Sequence, residues 1–400
     1  MDDAAIRANL IRRSCIGSIP DEWDIVTVAE IVERKPNAIV GGPFGSDLVS
    51  TDYVPSGIPV IRGANMSAAS VSGDFVFISE AKGKSLASNM AAPGDVVFTQ
   101  RGTLGQVAIV PEGPFEKYLI SQSQMKLSAN GDIVHKPYLL HYFASSAGQK
   151  QILDSAIQTG VPHTNLTILR NYAVPMPAYP EQEAIAEALS DADALIEGLE
   201  RLIAKKRLIK QGAMQDLLTA KRRLPGFSGE WVERKLGALL TVRHGRSQKE
   251  VEVPSGQYPI LATGGQIGTA DSYLWDKPSV LIGRKGTIDR PQFVETPFWT
   301  VDTLFYTDIQ LPNDPRFMFY VFQRIDWQSY NEASGVPSLN AKTIENINVF
   351  VPGSDEQIAI SAVLSDMDAE IQALETRLEK AKQVKEGMMQ NLLTGRIRLV

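Results

Sequence analysis

The residues of this chain that could carry out chemistry do not form a familiar catalytic pattern. Gly83-Lys84-Ser85 resembles the end of a phosphate-binding loop, but Ile78 stands where that loop needs its first glycine. Asp74, Glu80 and Lys82 match the Asp and Glu-x-Lys order of some metal-dependent nucleases, which is common by chance. None of the four histidines has the i, i+4 spacing of a helical metal site. We therefore expect no catalytic site and no bound metal in this chain.

The composition excludes several classes of protein. A chain of 400 residues with 44% hydrophobic residues is expected to form two or three globular domains. The sequence has no run of about 18 apolar residues, and its start, Met1-Asp2-Asp3, is acidic, so neither a membrane span nor a secretory signal is expected. Cys15 is the only cysteine, which excludes an intramolecular disulfide. These features predict a cytoplasmic protein. Because the net charge is −6, a nucleic-acid site would have to be a local basic patch.

The strongest pattern in the sequence is a long internal repeat. The stretch 160–224 recurs without a gap as 335–399, so that Glu181-Gln182 corresponds to Glu356-Gln357. This period is far longer than the 20–50 residues that are typical of solenoid repeats. The repeat therefore indicates a duplicated domain and a molecule with two similar halves.

Each copy of the repeat predicts a long helix, at residues 180–220 and 354–395. Apolar residues in the first segment follow the alternating three- and four-residue spacing of a coiled-coil seam, at Leu189, Ala192, Ile196, Leu199 and Ile203. A second seam on the same helix comprises Leu195, Leu199, Leu202, Ile209, Ala213 and Leu217. Two seams suggest two packing partners. The first segment begins acidic and ends basic, which favours antiparallel pairing of the two helices.

The remaining segments, 20–179 and 226–353, predict two similar globular domains. Both contain short β-type runs bounded by Gly and Pro: Ile58–Ile61, Asp95–Phe98, Val107–Val110, Ser279–Ile282 and Phe298–Val301. One helix is expected in each, at 137–154 and 315–329. The predicted fold class is therefore α/β (α+β), with two similar domains separated by two long antiparallel helices. Residues 1–19 are expected to add an N-terminal helical segment.

The repeated motifs resemble those of the DNA-specificity (S) subunit of type I restriction–modification systems. Gly-Val-Pro, Glu-Gln-x-Ala-Ile, Leu-Ser-Asp-x-Asp and Met-Gln-x-Leu-Leu-Thr occur twice in the same order. A β-type run followed by Arg101-Gly102-Thr103 or Lys285-Gly286-Thr287 precedes them in each half. The resemblance extends from about Ile19 to Leu399. It implies two target recognition domains related by a pseudo-two-fold axis, each reading one half of a split double-stranded DNA target, while the paired helices set the length of an unread spacer.

The resemblance also implies partners and a division of labour. Two methyltransferase (M) subunits would dock on the helices, and restriction (R) subunits would join the complex. S-adenosylmethionine would belong to the M subunits, and ATP and magnesium to the R subunits. This chain would then be a non-catalytic recognition subunit without a cofactor of its own. Two alternatives stay open: an enzyme, either a fused restriction–methylation protein or a lone nuclease, and a coiled-coil scaffold whose globular heads bind proteins.

The side chains that read DNA bases or bind phosphates are mainly Arg, Lys, Asn, Gln, Ser and Thr. The candidates in the first domain are Arg62, Asn65, Lys82, Lys84, Gln100, Arg101, Gln122, Gln124, His163 and Asn165. The candidates in the second domain are Arg243, His244, Arg246, Lys249, Arg284, Lys285, Arg290, Ser338 and Asn340.

Two pairs among these candidates occupy equivalent positions of the repeat, Arg101 with Lys285 and Asn165 with Asn340. For the asparagines, the alternative interpretation is that their side chains cap a turn. The densest basic loop, Arg243–Lys249, is the best candidate for phosphate contact.

Overall fold

The computed structural model describes residues 19–66, 69–158 and 160–399. The chain divides into two compact units: a first unit of residues 1–198 and 377–400, and a second unit of residues 199–376. Except for Ile19, the predicted N-terminal helical segment lies outside the described residues, as does Cys15.

Among the described residues, the first unit contains three sheets, four complete helices and parts of the two long helices. Its strands are β1 (Asp24–Thr27), β2 (Ile39–Gly41), β3 (Tyr53–Val54), β4 (Ile58–Ile61), β5 (Val76–Ile78), β6 (Met90–Ala91), β7 (Val96–Thr99), β8 (Val107–Ile109), β9 (Tyr118–Ile120), β10 (Gln124–Leu127) and β11 (Ala173–Met176). Its helices are α1 (Glu80–Ser85), α2 (Lys136–Ala144), α3 (Ser146–Asp154), α4 (Leu166–Arg170) and the beginning of α5 (Tyr179–Leu217). The sheets have the orders β2-β10-β7-β8, β3-β5-β4-β9-β6 and β1-β11.

The second unit repeats this arrangement with fewer strands. Its strands are β12 (Val232–Lys235), β13 (Leu240–His244), β14 (Tyr258–Ala262), β15 (Gly265–Ala270), β16 (Ser279–Gly283), β17 (Gln292–Val294), β18 (Trp299–Thr300), β19 (Leu304–Ile309) and β20 (Asn348–Val351). Its helices are the end of α5, α6 (Pro315–Arg324), α7 (Ala341–Glu345) and most of α8 (Ser354–Leu392), whose last residues belong to the first unit. The sheets have the orders β13-β19-β16-β17, β15-β14-β18 and β12-β20.

The four-stranded sheets of the two units correspond strand by strand, which confirms the duplication. The second sheets share a parallel pair, β4 with β9 and β14 with β18, and an antiparallel neighbour, β5 or β15. The first unit adds the edge strands β3 and β6 to this sheet. The frame is therefore shared, and the second sheet is where the two halves diverge.

The predicted β-type runs all form strands, but both predicted domain helices are shorter than expected. The segment 137–154 is two helices, because the chain is extended at Ser145, whose hydroxyl accepts a hydrogen bond from the Gly148 amide (3.3 Å) and begins α3. Serine favours such caps over helix interiors, since its side chain competes for backbone groups. The segment 315–329 is helical only to Arg324, and a 3₁₀ turn, Trp327–Tyr330, follows.

The long helices were predicted correctly, and their antiparallel pairing is confirmed within each unit. In the first unit, Leu189 near the start of α5 shares a core with Leu392 at the end of α8. In the second, Leu217 at the end of α5 shares a core with Ile360 near the start of α8. The first predicted seam is the more buried one. The second is largely exposed, with Leu195, Leu202 and Ile209 at 45%, 39% and 46%. Among the described residues, no helix combines the length and apolarity needed to cross a membrane.

Candidate nucleic-acid interface

In the first unit, the Arg-Gly-Thr turn is hydrogen-bonded to the Gly-Val-Pro segment. The Gly102 amide donates to the Pro162 carbonyl (3.2 Å), and the Thr164 amide donates to the Gln100 carbonyl (2.9 Å). Gly102 has φ +98°, a conformation that favours glycine. Two motifs that lie about 60 residues apart in the sequence therefore form one structural element, which we call the first turn cluster (residues 100–103 and 160–164).

The second unit repeats these contacts with different side chains. The Gly286 amide donates to the Pro337 carbonyl (2.8 Å), and the Leu339 amide donates to the Arg284 carbonyl (3.0 Å). Gly286 has φ +89°. The second turn cluster (residues 284–287 and 335–339) therefore has the same backbone as the first, and the predicted equivalence of Arg101 and Lys285 is confirmed.

The edge strands β2 and β13 of the two four-stranded sheets end beside the turn clusters. A glycine after each strand lets the backbone pack directly against a neighbouring carbonyl. A Cβ on Gly42 would lie 1.9 Å from the Ser121 carbonyl oxygen, and a Cβ on Gly245 would lie 2.0 Å from that of Val301. Both distances are far below any van der Waals contact. The chain that follows each glycine is therefore held against the sheet end that carries the turn cluster.

In the second unit, five of the nine predicted residues converge on one cleft. They are His244, Arg284, Lys285, Ser338 and Asn340. The Arg284 guanidinium donates to the Asp302 carbonyl (2.9 Å), which holds it partly in place, and Lys285 is exposed. The cleft therefore presents cationic and polar donors together, which are the groups that contact phosphates and base edges.

The basic loop Arg243–Lys249 leaves β13 beside this cleft, and its first arginine differs from the others. The Arg243 guanidinium donates to the Asp308 carboxylate (2.6 Å), an interaction that raises the pKa of Arg243. It also lies 5.5 Å from the centre of the Trp275 ring. Arg246 and Lys249 are exposed, as Arg243 is, and the Trp299 indole anchors their loop by donating to the Arg246 carbonyl (3.0 Å).

In the first unit, Gln100, Arg101, Gln122 and His163 lie at or beside the turn cluster. The Gln100 amide donates to the Ser123 carbonyl (2.7 Å), and His163 pairs with Arg101 in a β-bridge. Arg101 and Gln122 are exposed, whereas Gln100 and His163 are half-buried. These four residues form the counterpart of the cleft in the second unit.

The structure removes Asn65 and Gln124 from the candidate interface. Asn65 is 1% exposed, and its amide donates to the carbonyls of Ser72 and Asp74 at 3.0 Å each. Gln124 is fully buried and contacts Ser121. Both side chains hold loops in place, because their hydrogen bonds are made inside the domain. Arg62, next to these loops, is half-buried.

The capping interpretation of the two equivalent asparagines is confirmed. The Asn165 side chain accepts from the Ile168 amide (2.9 Å) and begins α4, and the Asn340 side chain accepts from the Lys342 amide (2.9 Å) and begins α7. Asn340 is nevertheless exposed at the cleft, so its contact with DNA stays a prediction.

Other candidates lie away from the turn clusters. Lys82 and Lys84 lie on α1, where Lys82 pairs with Asp52 (3.1 Å) and Glu80 pairs with Lys117 (2.8 Å), so the nuclease-like pattern is not assembled. Arg290 is exposed between β16 and β17. In the described part of the chain, no three His, Cys, Asp or Glu side chains are grouped as metal ligands.

The most similar parts of the repeat form buried ion pairs that sequence reasoning missed. The Arg398 guanidinium donates to both oxygens of Glu181, and the Arg223 guanidinium donates to both oxygens of Glu356. Glu181 and Glu356 are 1% and 4% exposed. The two arginines occupy equivalent positions of the repeat, and this equivalence is the sequence signal that could have identified the ion pairs. Each pair joins the beginning of one long helix to the segment that follows the other.

A second polar network on the helices contains a histidine in the first unit and a tyrosine in the second. In the first, His141 contacts Ser190 (3.2 Å) and lies 3.9 Å from Asp193, which pairs with Lys385. Burial lowers the pKa of His141 to about 4, although the Asp193 carboxylate opposes this shift.

The equivalent network of the second unit has a tyrosine in place of the histidine. The Tyr320 hydroxyl donates to Asp368 (2.8 Å), which pairs with Lys210, and burial raises the pKa of Tyr320 to about 12. The two units thus hold their helices together with equivalent contacts.

Comparison with known proteins decides the family. The model of the type I restriction modification DNA specificity domain matches residues 20–205 and 228–383. The chain belongs to this family. It is 23% identical to a putative type I restriction enzyme specificity subunit of Methanocaldococcus jannaschii, with 97% of this chain and 96% of the relative covered. A second specificity subunit from the same organism is 22% identical over 95% of this chain and 94% of the relative.

A solved structure shows the same fold in a relative of low sequence identity. The crystal structure of the type I restriction-modification system S subunit from M. genitalium aligns with a TM-score of 0.68 at 16% identity, covering 94% of this chain and 96% of that one. The predicted fold class is therefore confirmed by both the family and the structural match.

Proposed function

We propose that this chain is the DNA-specificity subunit of a type I restriction–modification complex and that each unit reads one part of a split duplex target. The observation that carries this proposal is the pair of turn clusters. The same backbone hydrogen bonds recur at the same end of the same sheet in both units, while the side chains on them differ. A shared backbone with different polar side chains is what two readers of two different short sequences require.

The side chains that differ at equivalent positions are the ones we assign to sequence choice. Gln100 of the first cluster corresponds to Arg284 of the second, and His163 corresponds to Ser338. Glutamine suits the hydrogen-bonding edge of adenine and arginine that of guanine. Shared positive charge, as at Arg101 and Lys285, suits phosphate contact in both half-sites.

The long helices supply the spacing and the docking frame in this proposal. Each has 39 residues, which corresponds to about 58 Å of helix. A fixed separation between two readers fixes the number of unread base pairs between the half-sites. Two methyltransferase subunits would dock on this frame, and restriction subunits would join them in the cytoplasm. S-adenosylmethionine would be bound by the methyltransferase subunits, and ATP and magnesium by the restriction subunits, so that this chain contributes recognition without catalysis.

Methyl transfer by purified components tests this assignment against the alternatives. The chain, a cognate methyltransferase subunit and their complex are each incubated with a random-sequence DNA library and labelled S-adenosylmethionine. We expect sequence-selective methylation by the complex alone. Methylation or magnesium-dependent cleavage by the isolated chain would favour a fused enzyme. A stable complex that binds no DNA would favour a protein-binding scaffold.

A further inference from the structure

The loop that follows β2 presents one aromatic side chain to solvent at the first turn cluster. Phe44 is 83% exposed, whereas its neighbour Pro43 is buried. Leaving a phenylalanine ring in water forgoes the free energy of burying it, which is a large contribution for an aromatic side chain. Among the exposed large hydrophobic residues of the described chain, only Leu311 is more exposed.

The loop around Phe44 is anchored on both sides, so the ring projects from a fixed base. Gly42 packs directly on the Ser121 carbonyl, and a Cβ on Gly45 would lie 3.3 Å from the Gln122 side-chain oxygen. The Asp47 amide donates to the Phe44 carbonyl (2.8 Å), which closes a turn. The narrow Gly-Pro-Phe-Gly backbone therefore holds a single exposed ring.

The position of this loop indicates what the ring contacts. Residues 121–123 lie between the Phe44 loop and the first turn cluster. Gly42 and Gly45 approach Ser121 and Gln122, and the Gln100 amide donates to the Ser123 carbonyl. Phe44 thus lies on the same end of the sheet as the residues that we assign to base reading. Gly245 is the equivalent of Gly42 in the second unit. It lies in the basic loop, and Arg246 and Lys249 follow it. The two units therefore present a ring and a basic loop at corresponding places.

We propose that Phe44 is an apolar wedge that inserts between bases of the half-site read by the first unit. This inference rests on the proposed function. Proteins that deform DNA use Phe, Leu, Ile or Met side chains to separate neighbouring base pairs, and aromatic rings also stack on bases. Insertion of the ring needs little further ordering of the backbone, since the loop that carries it is already anchored. The second unit holds its half-site without such a ring, through phosphate contacts of the basic loop.

The test uses the complex of this chain with its methyltransferase and a duplex that carries the methylated motif identified by methylome sequencing. 2-Aminopurine replaces single bases of the first half-site, other than the methylated one. With the unchanged chain, we expect a fluorescence increase at one base step, because the wedge unstacks it. Phe44→Ala should abolish this increase and weaken duplex binding about tenfold. Phe44→Leu should retain much of both.

Two controls distinguish insertion of the ring from a general loss of apolar surface and from a loss of phosphate contacts. Ile133→Ala removes an exposed apolar side chain (42%) of the same unit, beyond the opposite end of β10, and should change neither readout. The dependence of affinity on salt should keep its slope in Phe44→Ala, because the ring neutralises no phosphate.

Three outcomes would overturn the inference. Unchanged fluorescence and affinity in Phe44→Ala would show that the ring does not insert. Loss of complex formation with the methyltransferase would assign Phe44 to a protein contact. Failure of the unchanged complex to select any split motif would remove the proposed function as well, which distinguishes that failure from a failure of the wedge alone.

Discussion

At the scale of residues, the repeat preserves contacts that hold the frame. Glu181 and Glu356 are buried carboxylates, each bound at both oxygens by an arginine from the other copy of the repeat. In the first unit the Trp23 indole also donates to Glu181 (3.3 Å). A buried charge must be paired, because an unpaired carboxylate in the interior is strongly unfavourable. Neither copy of the repeat can therefore change these residues independently.

Substitution of Arg223 tests whether its ion pair with Glu356 stabilises the second unit. Arg223→Met leaves Glu356 buried without its main partner, and we expect a loss of about 3 kcal/mol in the free energy of unfolding, measured by urea denaturation. Lys221→Met is the matched control, since Lys221 lies two residues away in an exposed pair with Asp216 at 3.6 Å. That change should cost less than about 1 kcal/mol. Equal effects of the two substitutions would contradict the buried pair's role.

We expect the basic loop to contribute to DNA affinity through phosphate contacts. Arg246→Ala should weaken binding of the assembled complex to all duplexes and lower the slope of log affinity against log salt by about one, because one phosphate contact is lost. Arg234→Ala, an exposed arginine on β12, is the control and should leave the slope unchanged. An unchanged slope in Arg246→Ala would exclude the loop from the interface.

At the scale of elements, local patterns predicted the helices and strands, and the repeat predicted the pairing of the two long helices, but the pairing of the strands was not predicted. Coiled-coil spacing and the absence of proline located α5 and α8, since these signals depend on residues close in sequence. The edge strands β3 and β6 were not predicted, because their pairing depends on partners far along the chain. Burial of Asn65 and Gln124 was missed for the same reason. Their polarity suggested exposure, whereas Ser72, Asp74 and Ser121 satisfy them in the interior.

The contact between His141 and the long helices should make the stability of the first unit decrease in acid. His141 has a pKa of about 4 in the folded state against its ordinary 6.5, because burial disfavours its charged form. The unfolded chain therefore binds more protons between these values, and stability falls as pH decreases from 6.5 towards 4. We expect this group to account for about 2 kcal/mol of the loss between pH 7.5 and 5.

Substitutions that exchange His141 and Tyr320 test the contribution of His141. The free energy of unfolding is measured by urea denaturation at pH 7.5 and pH 5. His141→Tyr, which introduces the side chain found in the second unit, should reduce the acid-induced loss of stability. Tyr320→His should increase it, because a second histidine would then be buried against a helix. An identical pH dependence in all three proteins would contradict the role of His141.

At the scale of the whole molecule, the acidic composition and the proposed DNA binding are compatible. Acidic residues outnumber basic ones, 46 to 40, yet Arg284 and Lys285 line one cleft of the second unit, and the exposed Arg246 and Lys249 lie in the loop that follows β13. A local patch supplies phosphate contacts regardless of net charge. We expect the two recognition units to be independent readers on one frame.

An exchange of recognition units tests that independence. Replacement of residues 20–175 by the corresponding segment of another family member should change one half of the methylated motif and leave the other half unchanged. The spacer length should also persist, because both long helices are retained. A change in both halves would show that the units do not read separately.

Methylome sequencing of a methylation-free host that expresses this chain with its methyltransferase partner tests the central claim most directly. The proposed function predicts one methylated motif that is split into two different half-sites by an unread spacer of constant length. An unsplit motif, or no methylation in the presence of a stable complex, would contradict a two-part reader of DNA.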